Sequence, residues 1–317
     1  MHESRGLGDV YKRPILYPTD FSDTAKQALR HALFLAEQFE AELHMLHAII
    51  LHESDPRDPD GHFPEPSEIF DQLFQIADSE MAEIVRQNES KTFTLQEAKV
   101  RGYSAGEVIL QYVDEHDIDL VVMGTHGRRG PARLFLGSVA EEVVRHAQCP
   151  VLTMREQETP DSIEAVQRIL VPVDFSPYSK EALSYATELA ALYGAGLQVL
   201  HTIEEPAYPY FYTPGGTFSP VEQLEALREK AESALDELLK ETAGPAVPAE
   251  RYVATGRPAS EIARFAEERD SDMVVIATHG LTGLERLLVG STAEQVVRLA
   301  PCPVFTVKSF GKNLIPS

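Results

Sequence analysis

Only two cysteines, Cys149 and Cys302, stand among 317 residues, so a disulfide scaffold is excluded. A cytoplasmic location is the simplest reading of that scarcity. No apolar run approaches the roughly 18 residues that a transmembrane helix needs. The N-terminus, MHESRGLGDVYKRP, lacks the apolar segment of a secretory signal. Cations are few as well: 28 Lys and Arg against 50 Asp and Glu leave a net charge of −22. Neutralising phosphates along a nucleic acid takes clustered Lys and Arg, and anionic membrane surfaces repel such a chain. The expectation is therefore no nucleic-acid partner and no membrane insertion. Also missing are the GxxxxGK[ST] loop of P-loop NTPases and the GxSxG elbow of α/β-hydrolases. The His52–His62 stretch, HESDPRDPDGH, lacks calcium-loop or zinc spacing and reads as a solvated loop, so no metal site is expected.

What is present is ordinary globular material, 43% hydrophobic and 25% charged, long enough for two domains. The two domains are one unit written twice. ILYPTDFS (15–22) recurs as ILVPVDFS (169–176), and LHMLHAI (43–49) as LQVLHTI (197–203), both at an offset of 154. VVMGTHG (121–127) recurs as VVIATHG (274–280), and the stretch 134–154 as 287–307, at an offset of 153. The identities place the dropped residue between Glu107/Glu261 and Asp119/Asp272, in the turn before the fourth strand. The expected domains are 1–155, with 1–11 as an extension outside the repeat, and 168–309. A polar linker, 156–167, joins them, and 310–317 forms a tail.

Strand and helix signals alternate within each copy. Ile15–Pro18 is a short apolar run, followed by Leu29, Leu33, Ala36 and Phe39 at helical spacing. Ser176-Pro177 is a helix start: a hydroxyl cap, then proline at the first helical position. Further strands are expected at Leu43–Ile50, 92–100, Leu120–Met123 and 150–154, and helices at 67–88, 104–115 and 137–147. This alternation predicts an α/β fold: two tandem Rossmann-like, doubly wound parallel sheets of five strands. Ligands in such sheets sit beyond the carboxyl ends of the strands, where the strand order reverses. If strands one and four meet there, Pro18-Thr19-Asp20 and Gly124-Thr125-His126-Gly127 share one crevice.

Gly124-x-x-Gly127, nine residues, then Gly137-Ser138, is a glycine pattern that ends by opening a helix. Glycines let backbone N–H groups approach an anion, and a helix N-terminus adds partial positive charge. Arg128, Arg129 and Arg133 in the same loop can answer a polyphosphate. The alternative is that the glycines serve turns and packing; the duplication and the switch-point placement favour phosphate. Asp20 and Asp174 can accept from a ribose hydroxyl or a base amino group, or act as helix caps. Ser22 and Ser176 already supply a cap. His126 and His279 read as hydrogen-bonding or packing groups of the loop, Tyr208–Tyr212 as a cover for its own domain, and the cysteines as buried thiols.

These motifs resemble the universal stress protein family in its tandem form, over roughly residues 12–155 and 168–309. The resemblance implies strand order 3-2-1-4-5, pairing of the domains through their last strands, and ATP binding, with AMP or ADP as alternatives and Mg only as counter-ion. By motif match, Asp20 and the backbone at Ala48 would meet adenine, with Pro18 and Thr19 nearby. Met123, Gly124, His126, Gly127, Gly137, Ser138 and Val139 would line ribose and phosphates, joined by Arg128 and Arg129. The matching second set is Pro172, Val173, Asp174, Thr202, Ile276, Ala277, His279, Gly280, Gly290, Ser291 and Thr292. It departs from the pattern at Ala277, which replaces the first glycine, and at Leu281 and Thr282, which stand where the arginines stand. The second site is therefore expected to be the weaker. A regulatory or protective stress-response role is the favoured function. No metal-binding carboxylate pair or positioned base reads from the motifs, so catalysis is not favoured. A slow ATPase or nucleotidyl-transferring enzyme, a ligand-free scaffold and a homodimer remain alternatives.

Overall fold

The computed structural model describes residues 13–50, 66–88, 91, 93–125, 136–155, 166–204, 220–279 and 290–308. The first half runs β1 (Pro14–Pro18), α1 (Asp23–Gln38), β2 (Glu42–Ile50), α2 (Pro66–Gln87), β3 (Leu95–Gly102), α3 (Ala105–Glu115), β4 (Leu120–Gly124), α4 (Ser138–His146) and β5 (Val151–Met154). The second repeats it: β6 (Arg168–Pro172), α5 (Pro177–Tyr193), β7 (Gly196–Ile203), α6 (Pro220–Glu241), β8 (Ala249–Thr255), α7 (Pro258–Glu268), β9 (Met273–Ala277), α8 (Ser291–Leu299) and β10 (Val304–Val307).

The strands form one sheet in the order β3-β2-β1-β4-β5-β10-β9-β6-β7-β8. Each half keeps the order 3-2-1-4-5, all parallel, and the halves join through an antiparallel pairing of β5 with β10, where Phe305 faces Leu152. The two expected five-stranded sheets thus meet through their last strands, as the resemblance implied, to make one ten-stranded sheet. Strand alternation sorts the core into two layers. Leu120 and Val122 of β4 look toward α1, whereas Val121 and Met123 look toward α3 and α4. Both layers run across the join, Leu152 and Phe305 in one, Val151 and Val304 in the other. A parallel sheet covered on both faces explains why its central strands are apolar throughout.

The halves are also clasped from outside the sheet. Arg145 of α4 reaches Glu141 (3.0 Å) and Glu294 (3.2 Å), and Arg298 of α8 reaches the same two carboxylates at 3.3 and 3.4 Å. Arg155, just after β5, donates to the Ala300 carbonyl at the end of α8 (2.7 Å). Its counterpart Lys308, after β10, donates to Val144 near the end of α4. Each terminal helix thus ends on a cation from the other half, which suits the negative end of its dipole.

One expectation needs correcting. The dropped residue does not lie in the turn before the fourth strand. Gly102 and Gly256 correspond at an offset of 154, but the buried faces of α3 and α7 correspond at 153: Ile109 with Ile262, Tyr112 with Phe265, Val113 with Ala266. The deletion is therefore in the connector before the helix, Tyr103-Ser104 against Arg257 alone. The shared Gly-x-x-Ala-x-Glu misleads because Glu107 and Glu261 sit one helical position apart.

Candidate functional site

β1 stops at Pro18, while its neighbour β2 runs on to Ile50. Thr19 N–H donates to Leu46 O (2.8 Å), the last bond of that ladder. In a parallel ladder alternate residues point their amide groups to the same neighbour. Ala48, two residues beyond Leu46, therefore presents its N–H and C=O past the end of β1, over the crevice. In the second half Val173 N–H donates to Leu200 O (2.8 Å), which puts Thr202 in the same position.

On the other side of the crevice stands β4, paired with β1 through Ile15–Leu120 and Leu16–Val121. Thr125 N–H donates to Met154 O (2.7 Å), and Gly137 N–H returns to Thr125 O (2.9 Å). The glycine loop thus leaves and re-enters at one threonine, which brings the first turn of α4 back to the end of β4. Thr278 and Gly290 repeat this at 2.9 and 2.6 Å. A Cβ on Gly290 would stand 3.1 Å from Thr278 O, a tight contact that this oxygen would have to relieve by a few tenths of an ångström. Met123 and Ile276 are buried, Val139 is half-buried, and Ser138 is exposed at the helix start.

The helix starts around the crevice differ in one decisive way. α1 and α5 are closed by serine: Ser22 Oγ accepts from Ala25 N–H (3.2 Å), and Ser176 Oγ from Ser179 N–H (3.2 Å). α4 and α8 begin at Gly137 and Gly290, which have no side chain to offer. The first N–H groups of a helix have no partner within it, so at α4 and α8 they point outward without a side-chain cap.

Gly124 tells a different story from Gly137. An added Cβ would meet Thr24 Cγ2 at 3.0 Å and its backbone carbon at 3.2 Å, so the bare α-carbon faces α1. Its counterpart Ala277 places its methyl in the core layer with Val275 and Val307. The replacement is thus absorbed by packing against α5, on the side away from Met123 and α4.

Asp20 and Asp174 each bend the chain into the following helix. Asp20 Oδ1 accepts Ser22 N–H (3.1 Å), and Asp174 Oδ1 accepts Ser176 N–H (3.0 Å) and Ser176 Oγ–H (2.5 Å). The residue between aspartate and serine is left-handed in both halves, φ 61° at Phe21 and 63° at Phe175. For a bulky residue that costs on the order of 1–3 kcal/mol, and such strain gathers at ligand clamps. Thr19 Oγ1 accepts Phe21 N–H (3.0 Å) and lies 3.0 Å from the Tyr17 hydroxyl, which donates to Ala25 O (2.9 Å). Burial pushes the Tyr17 phenol well above its ordinary range, so it stays a donor.

Two residues not singled out in the sequence stand here: His47, whose Nδ1 lies 2.7 Å from Thr19 O, and His201, 2.8 Å from Val173 O. Their signal was in the repeat, which writes Leu-His at both places. His279 Nδ1 lies 3.1 Å from Thr278 Oγ1. Cys149 and Cys302 are buried. His126, Gly127, Arg128, Arg129, Arg133, Gly280, Leu281 and Thr282 lie outside the described residues, as do His52–His62, Tyr208–Tyr212, 1–11, most of the 156–167 linker and the 310–317 tail. Among the described residues no group of three or more His, Cys, Asp or Glu is placed to hold a metal, and no helix is long and apolar enough to cross a membrane.

Comparison with known proteins agrees with this architecture. The chain is 34% identical over 148 residues to universal stress protein MJ0531 of Methanocaldococcus jannaschii, covering 46% of this chain and 85% of that one. It is 32% identical over 197 residues to universal stress protein Rv2005c of Mycobacterium tuberculosis H37Rv, covering 61% and 63%. The chain thus spans less than two thirds of that mycobacterial relative. The crystal structure of a universal stress protein from Archaeoglobus fulgidus DSM 4304 shares the fold over 94% of this chain and 96% of its own, with a TM-score of 0.62 at 21% identity. The sequence model described as "Universal stress protein family" matches residues 12–155 and again 165–308, so the chain belongs to that family and carries its domain twice.

Proposed function

We propose that the protein binds an adenine nucleotide, ATP foremost, at the first crevice and acts as a cytoplasmic stress-response regulator or protectant without a chemical step of its own. The observation that carries this reading is the contrast between helix starts. At the strand-order switch, the serine-capped α1 has its first turn closed, while the glycine-capped α4 turns uncapped amides toward the crevice. That is the arrangement that receives phosphate oxygens. Asp20 and the Ala48 backbone lie on the other wall, where a base would be read by hydrogen bonds. The proposed site is Pro18, Thr19, Asp20, Ala48, Met123, Gly124, Gly137, Ser138 and Val139, with His126, Gly127, Arg128 and Arg129 from the loop. Gly124 serves it indirectly, by letting β4 approach α1.

The second crevice keeps the open helix start at Gly290 but replaces Arg128 and Arg129 with Leu281 and Thr282. Well-formed charge-assisted contacts contribute roughly 1.5–3 kcal/mol, so the second site is proposed to bind ATP more weakly, or to prefer AMP. Protein purified without added nucleotide, then denatured, should release ATP, ADP or AMP detectable by mass spectrometry. Nucleotide-free protein that also takes up no ATP in calorimetry would overturn the reading.

A further inference from the structure

One arrangement stands at both crevices without a task in the nucleotide reading given above. In the first, the ring of the left-handed Phe21 lies tilted over His47, centroids 4.7 Å apart, and His47 Nδ1 meets Thr19 O. In the second, Phe175 lies 4.6 Å from His201, whose Nδ1 meets Val173 O. A carbonyl oxygen only accepts, so each imidazole must donate its Nδ1–H, and that contact fixes the tautomer. The aspartate stands between the two anchored residues. Its predecessor is held by the carbonyl and its successor by the ring.

The duplication separates what this turn needs from what it merely uses. Thr19 Oγ1 takes the Phe21 N–H in the first half, whereas Val173 has no hydroxyl to offer. The second half instead places Ser179 Oγ 3.3 Å from Asp174 N. The secondary supports were exchanged, yet phenylalanine, histidine, carbonyl and φ all stayed. A left-handed bulky residue persists only where its surroundings over-determine it. Besides the aspartate–serine bond, the two halves share the carbonyl contact and the ring contact, and the histidine supplies both.

We propose that His47 and His201 are positioning residues for Asp20 and Asp174: by gripping the carbonyl before the aspartate and the ring after it, each holds the carboxylate in the geometry that reads the base. The inference rests on the nucleotide reading, and its test keeps the two apart. In the full-length protein at a pH above neutrality, long-range proton–nitrogen correlation should show both imidazoles protonated at Nδ1. His47→Ala should accelerate exchange of the Phe21 and Ser22 amides without nucleotide, and weaken ATP binding at least about tenfold. His47→Asn carries an amide donor that reaches the same carbonyl and should restore ATP affinity to within about threefold. An Nε2–H tautomer, or a folded His47→Ala protein with wild-type exchange and affinity, would overturn the proposal. Should His47→Ala not fold, the tautomer and the Asn variant decide it. Wild-type protein that takes up no ATP would sink the nucleotide reading alone, while tautomer and amide exchange still decide whether the histidines hold the turn.

Discussion

Gly124 and Gly137 belong to the same sequence pattern yet answer to different neighbours, and that difference can be measured. Gly124→Ala drives a methyl to about 3 Å from Thr24 of α1. Overpacking of this kind costs typically ~1–3 kcal/mol, so the urea midpoint should fall while ATP affinity changes little. An unchanged midpoint would contradict the packing role. The sequence alone suggested phosphate for both glycines, because spacing is visible and facing partners are not. Thr24 is remote along the chain, and only the β4–α1 contact shows what Gly124 spares. Phe21 was equally illegible: nothing in ILYPTDFS says that its phenylalanine is left-handed. The grip of His47 follows from that conformation and not from any motif.

The contacts between elements carry the molecule's acid sensitivity. His31 of α1 is buried, its Nδ1 3.0 Å from the Tyr193 hydroxyl of α5, and its Nε2 meets no partner among the described residues. Burial lowers its pKa to about 4 from an ordinary 6.5, with Arg30 adding to the fall. In the unfolded chain the imidazole takes its proton near the ordinary value, so between those pH values the unfolded state binds more protons. The His31 contribution is therefore complete above pH 6.5 and is lost as pH falls toward 4. Wild-type protein should lose about 3 kcal/mol more than His31→Phe between neutral pH and the lower end of that window. The variant orphans the Tyr193 hydroxyl and starts from lower stability, so the comparison is of pH slopes in urea unfolding. Parallel slopes would contradict the assignment. Elements themselves were well marked in the sequence: the helix expected over 104–115 is α3 within a residue, and the strand over 92–100 is β3 displaced to Leu95–Gly102. The displacement reflects a polar, half-exposed strand at the sheet edge, where alternation is weak.

At the scale of the whole molecule, the repeat made the fold of each half readable in advance, while the joining of the halves through their last strands came only with the family resemblance. Two copies of a five-stranded unit can pack in several ways. The β5–β10 pairing selects the one in which Val151–Met154 and Val304–Val307 are all buried. A chain of residues 1–155 alone would expose β5 as an unprotected apolar edge, which invites pairing with a second copy. Sedimentation should find it dimeric; a monomer at high concentration would count against the role given to that edge.

Whether the glycine-capped start of α4 receives nucleotide phosphates is decided by calorimetric titration of ATP into wild-type and Gly137→Asp protein. Aspartate is a favourable helix cap, so the variant should keep the start of α4, and its fold is checked by circular dichroism. Its carboxylate would occupy the first-turn amides and repel the phosphates that seek them. Affinity at the stronger site should fall at least tenfold, about 1.4 kcal/mol, with the weaker site untouched. Unchanged affinity at the stronger site, with the variant folded, would contradict phosphate binding there.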